Sequence, residues 1–272
     1  MTAERREDIP SARRLVVKVG SSSISGANKG QIADLVDALA GAHRAGTEVI
    51  LVSSGAIATG LPFLALDGRP TDLATQQAAA AVGQNVLINR YQANLDRYSI
   101  VAGQILLTAS DLADPTPRAN ARRALERLLA LRTLPIINEN DTVATQEIRF
   151  GDNDRLAALV AVLLGADALV LLSDVEALYT RPPSEPGAER IELVRAQDSL
   201  EHITFGSIGA AGVGTGGALT KVQAARLAQR AGTGVLVTET PRAAAALAGE
   251  HVGTWFAPAA HPQRPETLFP PV

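Results

Sequence analysis

Leu15–Ser23 reads LVVKVGSSS, an apolar, valine-rich run broken by one lysine and closed by a glycine and three serines. A run this short and β-branched, ended by small turn residues, predicts a strand and the loop that leaves it. Runs of the same kind recur at Val49–Val52, Leu134–Ile137, Ala168–Leu172 and Val235–Thr238. Between them lie longer stretches with helical spacing. Ala121, Leu125, Leu128 and Leu129 share one face, and Leu156, Leu159, Val160 and Leu163 share another. Ala224, Ala225 and Ala228 let the helix after Gly217 sit close to a sheet. Strands alternating with helices predict βαβ units, hence an α/β fold around a largely parallel sheet.

The totals narrow the function. A chain of 272 residues with 46% hydrophobic and 19% charged residues can bury a sizeable core. Lys plus Arg is 25 and Asp plus Glu is 28, a net charge of −3, so no basic excess points to nucleic acid and no polybasic stretch to a membrane. A small ligand is the expected partner. The absence of cysteine excludes a disulfide framework, a cysteine zinc site and a cysteine nucleophile. His43, His202, His251 and His261 have no ligand spacing, so no histidine-held metal is expected, although Glu and Asp could hold a magnesium that arrives with a nucleotide. The opening MTAERREDIPSARR lacks the apolar core of a secretory signal, and no run approaches the ~20 apolar residues of a membrane span, so a cytoplasmic protein is expected. The expected organisation is a flexible N-terminus over 1–13, one domain over 14–257 and an extended, proline-rich tail over 258–272. The loop RPPSEPG, Arg181–Gly187, separates two lobes of that domain.

In an open parallel sheet, ligands bind beyond the carboxyl ends of the strands. The residues just after each predicted strand here are small, polar or acidic: Gly20–Ser23, then Ser53–Gly55, then Asn138–Asp141, then Ser173 and Asp174. Turns are polar in any protein, but four agreeing loops mark one edge. Lys18 sits two residues before the first of these loops. It reads either as a lysine on a wet strand face or as a cation placed for a phosphate. GVGTGGALTK, Gly212–Lys221, is a second phosphate candidate: its glycines admit close backbone approach, and a helix opens there. Gly212, Gly214 and Gly217 also spell GxGxxG, with Glu239 downstream, the layout of a dinucleotide fingerprint. The stretch before it, ITFGSIGAA, is a poor strand for that motif. GDND, Gly151–Asp154, reads as a helix cap or, with three polar residues where a cap needs one, as part of a site. Magnesium, if used, arrives with a nucleotide.

Taken together, VVKVGSS, VSSGAI, AAVGQ, INENDTV, GDND, LLSD, LYT and GTGG-x-x-TK occur in the order and spacing of the glutamate 5-kinases, and the chain resembles that branch of the amino acid kinases from about Arg14 to Ala257. The resemblance implies a three-layer αβα sandwich with a mainly parallel sheet of about eight strands, its N-terminal lobe on the substrate side and its C-terminal lobe on the nucleotide side. It implies ATP-dependent phosphorylation of the γ-carboxylate of L-glutamate, the first step of proline biosynthesis, with ATP and magnesium, proline as feedback inhibitor and a homo-oligomeric assembly. Carried over by motif, Lys18, Lys221 and Asp154 would be catalytic. Ser54, Gly55, Asn138, Asp141 and Asn153 would hold glutamate. Lys18, Ser173, Asp174, Thr215, Gly216, Gly217, Ala218, Leu219, Thr220 and Lys221 would line the nucleotide. Two departures stand out: many members carry a C-terminal PUA domain that this chain is too short to contain, and Ala218 and Leu219 stand where the family often has Met and Ser. The alternatives are another carboxylate or carbamate kinase of this fold, a nicotinamide-dependent oxidoreductase built on GVGTGG and Glu239, and an amino acid sensor without turnover. The oxidoreductase leaves Lys18, GDND and INEND without roles, and the retention of both lysines and Asp154 argues against the sensor.

Overall fold

The computed structural model describes residues 2–66, 68–144, 153–182, 184–200 and 217–270. In chain order the regular elements are β1 (Arg14–Val19), α1 (Gln31–Arg44), β2 (Glu48–Val52), α2 (Ala56–Gly60), α3 (Leu73–Leu95), β3 (Ala102–Leu107), α4 (Ala109–Ala113), α5 (Pro115–Ala130), β4 (Leu134–Glu139), α6 (Asn153–Leu164), β5 (Ala168–Ser173), β6 (Leu178–Tyr179), β7 (Arg190–Ile191), β8 (Leu193–Val194), α7 (Ala218–Arg230), β9 (Gly234–Glu239), α8 (Ala243–Leu247) and β10 (Thr254–Phe256). Eight strands form one sheet in the order β3-β4-β2-β1-β5-β9-β10-β8, and β6 and β7 form a separate antiparallel pair. Among the described residues of the large sheet, only the β9–β10 pairing is antiparallel.

The alternation of side chains along a strand sorts the core into two layers. Leu15, Val17 and Val19 of β1 face one way, with Val49, Leu51, Val170 and Leu172, and are covered by α1, α3 and α8. Val16 faces the other way, with Ile50, Val52, Leu169 and Leu171, under α5, α6 and α7. Every residue of β1, β4 and β5 is buried, as expected of parallel strands clad on both faces. The molecule is thus the three-layer αβα sandwich that the resemblance implied. The five strands read from sequence all lie in it, with ends moved by one or two residues. β3, β8 and β10 were not among them: β3 is an edge strand carrying Gly103 and Gln104, β8 has two residues and β10 three, so none makes a long β-branched run.

Two local expectations change. The helix expected to show one apolar face, α6, is buried at every position from Asn153 to Leu164 except Arg155, because it lies between the sheet, α5 and α7. The N-terminus, expected to be flexible, is docked. Ala3 and Ile9 are buried, Arg6 donates to the carbonyls of Val252 and Glu192 at 2.7 and 2.8 Å, and the Trp255 indole donates to Glu4 O at 3.1 Å. Glu192 O also accepts from Trp255 N at 2.9 Å, so the guanidinium adds a second bond to a carbonyl already used between β8 and β10 and ties the N-terminus to that edge of the sheet. In the tail, Leu268 is buried and the Phe269 ring lies under the Arg118 guanidinium at 4.4 Å.

The closest helix contact joins α2 to α3. A Cβ on Gly83 would fall 1.7 Å from Ala56 O, and one on Gly60 would fall 2.0 Å from Ala79 O. Both backbones approach only because neither residue has a side chain. Gly83→Ala is therefore expected to lower stability in urea by at least about 3 kcal/mol, an overpacking cost. Gly41→Ala, in α1 with open space around its Cβ position, should instead raise it by about 0.5–1 kcal/mol. Equal effects of the two substitutions would refute this account of the α2–α3 contact.

Candidate active site

Lys18 lies in the same register as Val16, so its side chain leaves β1 on the α6–α7 side of the sheet, into a layer that is otherwise apolar. A lone ammonium there would cost several kcal/mol. Its partner is supplied by α6, whose first turn carries Asp154 to the end of β1. Lys18 Nζ lies 2.5 Å from Asp154 Oδ1, and Lys221 Nζ, from the first turn of α7, lies 3.3 Å from Oδ2. All three side chains are at least 95% buried, with Asp154 at 0% exposure. Three residues separated by most of the chain thus share one carboxylate. A lysine in a first helical turn opposes the helix dipole, and Asp154 offsets that cost. The trio itself keeps a net charge of +1, which suits an anion arriving beside it.

A second group of polar side chains lies beside this trio at the ends of β2 and β4. Asn153, the first residue of α6, donates its Nδ2 to Ser53 O at 2.6 Å and to Asn138 Oδ1 at 2.7 Å. Its amide nitrogen is therefore spent on neighbouring strands. Asn138 Nδ2 donates in turn to Gln84 Oε1 at 3.2 Å. Ser53 Oγ and Tyr91 OH are 2.9 Å apart, and burial pushes the Tyr91 phenol well above its usual range, with the Ser53 bond opposing, so it stays protonated. A small cavity of about 10 Å³, lined by Ser53, Gln84, Tyr91, Gln104 and Asn138 among others, lies behind this group.

Two of the loops expected at the active edge, those after β1 and β2, touch. Gly55 adopts φ 85°, a left-handed conformation natural to glycine, at the start of α2. A side chain there would meet Ser21 Cβ at 3.2 Å, so the turns after β1 and β2 touch. Ser54 stands half-buried in the same turn, and Asp141 half-buried in the turn after β4. Ser173, at the end of β5, is buried, and its hydroxyl accepts from Val175 N at 3.2 Å; Asp174 is exposed. Gly217 caps α7, and Thr220 Oγ1 donates back to its carbonyl at 2.8 Å. Leu219 is exposed and Ala218 half-buried on the same turn. Thr215 and Gly216, Gly151 and Asp152 of GDND, and Gly212 and Gly214 of the GxGxxG lie outside the described residues. Glu239 ends β9 and pairs with Arg242 Nε at 3.3 Å. Gln84, Gln104 and Tyr91 carried no functional reading in the sequence; the signal available was AAVGQ, a motif that was visible without a role.

Among the described residues, no group of three or more His, Cys, Asp or Glu side chains could hold a metal ion. No described helix is long and apolar enough to cross a membrane.

Comparison with known proteins gives the family and the fold. The profile of the amino acid kinase family matches residues 13–239. The glutamate 5-kinase of Clavibacter sepedonicus is 72% identical over 95% of this chain and 99% of that protein. The glutamate 5-kinase of Leifsonia xyli subsp. xyli is 71% identical over 95% of this chain and 96% of that one. That of Thermobifida fusca is 55% identical over 97% of this chain and 69% of that protein. Among solved structures, the carbamate kinase from Giardia lamblia bound to AMP-PNP superposes with a TM-score of 0.68 at 19% identity, covering 92% of this chain and 99% of that one, a likeness of fold.

The buried trio has an asymmetric expectation for stability. Replacing Lys18 by Met leaves Asp154 beside Lys221, a pair that still balances. Replacing Asp154 by Asn takes the carboxylate away from two buried ammonium groups at once. Asp154→Asn should cost about 3–5 kcal/mol in urea at neutral pH, and Lys18→Met much less. Similar losses for both would mean that the carboxylate does not hold the two cations together.

Proposed function

The chain belongs to the amino acid kinase family, and from that premise we infer that it is an ATP-dependent kinase that phosphorylates the γ-carboxylate of L-glutamate, yielding L-glutamyl 5-phosphate for proline biosynthesis. The observation that carries the reading is the buried Lys18–Asp154–Lys221 trio, with its net positive charge, beside a group of amides and a carboxylate suited to an amino acid. The nicotinamide and sensor alternatives give that trio no task.

The chemistry asks for position and charge more than for covalent help. A γ-carboxylate oxygen of glutamate attacks the γ-phosphorus, a P–O bond forms, and the bond to the leaving ADP breaks. The carboxylate is already a nucleophile, so no general base is required. Lys18 and Lys221 lie on either side of the phosphoryl group and take up the negative charge that spreads over its oxygens and onto the leaving oxygen. Asp154 aims both ammonium groups and keeps them apart. Ser54, Gly55, Asn138, Asp141 and Asn153 hold glutamate, Asp141 pairing with its ammonium. Ser173, Asp174 and the stretch from Thr215 to Lys221 line the nucleotide, with the backbone N–H groups at the start of α7 directed at phosphate. The exposed Leu219 offers no hydroxyl there, so this turn acts through its backbone and Thr220.

Magnesium fits as a companion of the nucleotide: the described residues offer no cage for it, and the carboxylate nearest the reaction is engaged by two lysines. When bound with ATP it neutralises part of the phosphate charge. Proline, the product of the pathway, is the proposed feedback inhibitor, and a homo-oligomer in the cytoplasm is the proposed working form.

Hydroxylamine traps an acyl phosphate as a hydroxamate, which gives a direct assay. ATP-dependent hydroxamate should form with L-glutamate and stay at background with N-acetylglutamate, because a site built to pair an ammonium rejects a blocked one. Equal kcat/KM for the two would end the glutamate assignment. Lys18→Ala and Lys221→Ala should each lower kcat by about a hundred- to a thousandfold while the proteins remain folded. Near-normal kcat in Lys221→Ala would end the two-lysine mechanism.

A further inference from the structure

Three amides in the substrate side of the site are oriented by backbone groups whose hydrogen-bonding roles cannot be exchanged. Asn153 Nδ2 lies 2.6 Å from Ser53 O, and a carbonyl oxygen only accepts, so the nitrogen must point there. Asn138 Oδ1 lies 2.9 Å from Glu139 N, and a backbone N–H only donates, so the oxygen must point there. Gln84 Nε2 lies 3.2 Å from Glu139 O, which again fixes the nitrogen. With those orientations set, the side-chain bonds between them also fall donor to acceptor. Asn153 Nδ2 gives to Asn138 Oδ1 at 2.7 Å, and Asn138 Nδ2 gives to Gln84 Oε1 at 3.2 Å. Gln104 Nε2 supports the same Gln84 oxygen at 3.4 Å. Gln84, Asn138 and Asn153 are all more than 90% buried, so a misdirected member would leave an unpaired polar group away from water.

The relay has a chemical consequence at its inner end. Both N–H bonds of the Asn153 amide are committed, one to Ser53 and one to Asn138. What Asn153 can offer a ligand is Oδ1, an acceptor. A carboxylate would be repelled by that atom, whereas an ammonium group would donate to it.

We propose that Gln84 is a positioning residue: through Asn138 it locks Asn153 so that a carbonyl oxygen, and not an amide nitrogen, meets the ammonium group of the substrate. The inference rests on the glutamate reading and assigns Gln84 no contact with substrate. It also gives AAVGQ a division of labour, in which Gly83 lets α3 meet α2 and the next residue orients the site.

The test compares Gln84→Met, which keeps the length and loses all three side-chain hydrogen bonds, with the parent protein. Glutamate KM should rise about ten- to a hundredfold, with ATP KM and kcat little changed. The preference for L-glutamate over glutarate, which lacks the amine, should shrink by a similar factor. Adding Gln84→Met to Asn153→Ala should raise glutamate KM no further than Asn153→Ala alone, since both act through one amide. A general loosening of the fold would move ATP KM or kcat as well and would add to Asn153→Ala, and either result overturns the proposal. An active parent whose glutamate KM is unaffected by Gln84→Met overturns this inference alone. A parent with no glutamate-dependent activity overturns the proposed function and the inference with it.

Discussion

One carboxylate holds the centre of this molecule. Asp154 is fully buried and lies between the ammonium groups of Lys18 and Lys221, so the first strand, the start of α6 and the start of α7 converge on two oxygen atoms. Charges in such a place persist only with partners, which makes each of the three residues conditional on the other two. The sheet order makes the convergence possible. β1 lies between β2 and β5, and the chain lays its earlier strands on one side of β1 and its later ones on the other. The crevice at that reversal is where an open parallel sheet leaves room for a ligand. The helix that delivers Asp154 is buried except at Arg155, so its first turn has little freedom to drift.

A second constraint operates on the other half of the site through backbone, not charge. α2 and α3 touch at Gly60 and Gly83, close enough that any side chain would collide with a carbonyl. That contact brings Gln84 to the ends of β4 and β2, where its amide accepts from Asn138, whose own amide oxygen accepts from Asn153. Helix packing and amide orientation are thereby linked: a shift of α3 would break the relay, and through it the direction of Asn153. The two halves of the site meet where the turns after β1 and β2 touch, at Ser21 and Gly55. Phosphoryl transfer between an amino acid and a nucleotide requires that kind of adjacency, since the attacking oxygen and the phosphorus must be brought nearly into contact.

How much was legible in the sequence depended on how local the signal was. Five short valine- and leucine-rich runs marked five strands because a fully clad strand has no polar face to hide it. The polar residues after those runs marked the ligand edge for the same reason, as a departure from the run. β3 gave no such mark, since an edge strand with Gly103 and Gln104 alternates weakly. The N-terminus looked like a charged tail, yet Arg6 is drawn in by the carbonyls of Glu192 and Val252, which lie far along the chain. α6 showed one apolar stripe by its spacing, and only its neighbours in the fold explain why every residue from Leu156 to Leu164 is small or apolar.

The sequence by itself determined the alternation of strand and helix, the family, the candidate lysines and the acidic and amide residues around them, because each of these is written in composition, period or motif over a few neighbouring positions. What it could not determine was the state of Lys18, which read equally well as a wet lysine or as a phosphate ligand. Only the tertiary structure decided that, by turning Lys18 into the α6–α7 layer and setting Asp154 against it at 2.5 Å. It also decided the direction of the Asn153 amide, which depends on a carbonyl of Ser53 and an amide of Asn138 that no local pattern connects. The physical reason is the same in both cases. Charge pairing and hydrogen-bond direction act over a few ångströms of space, and folding brings those atoms together from positions that the sequence keeps far apart.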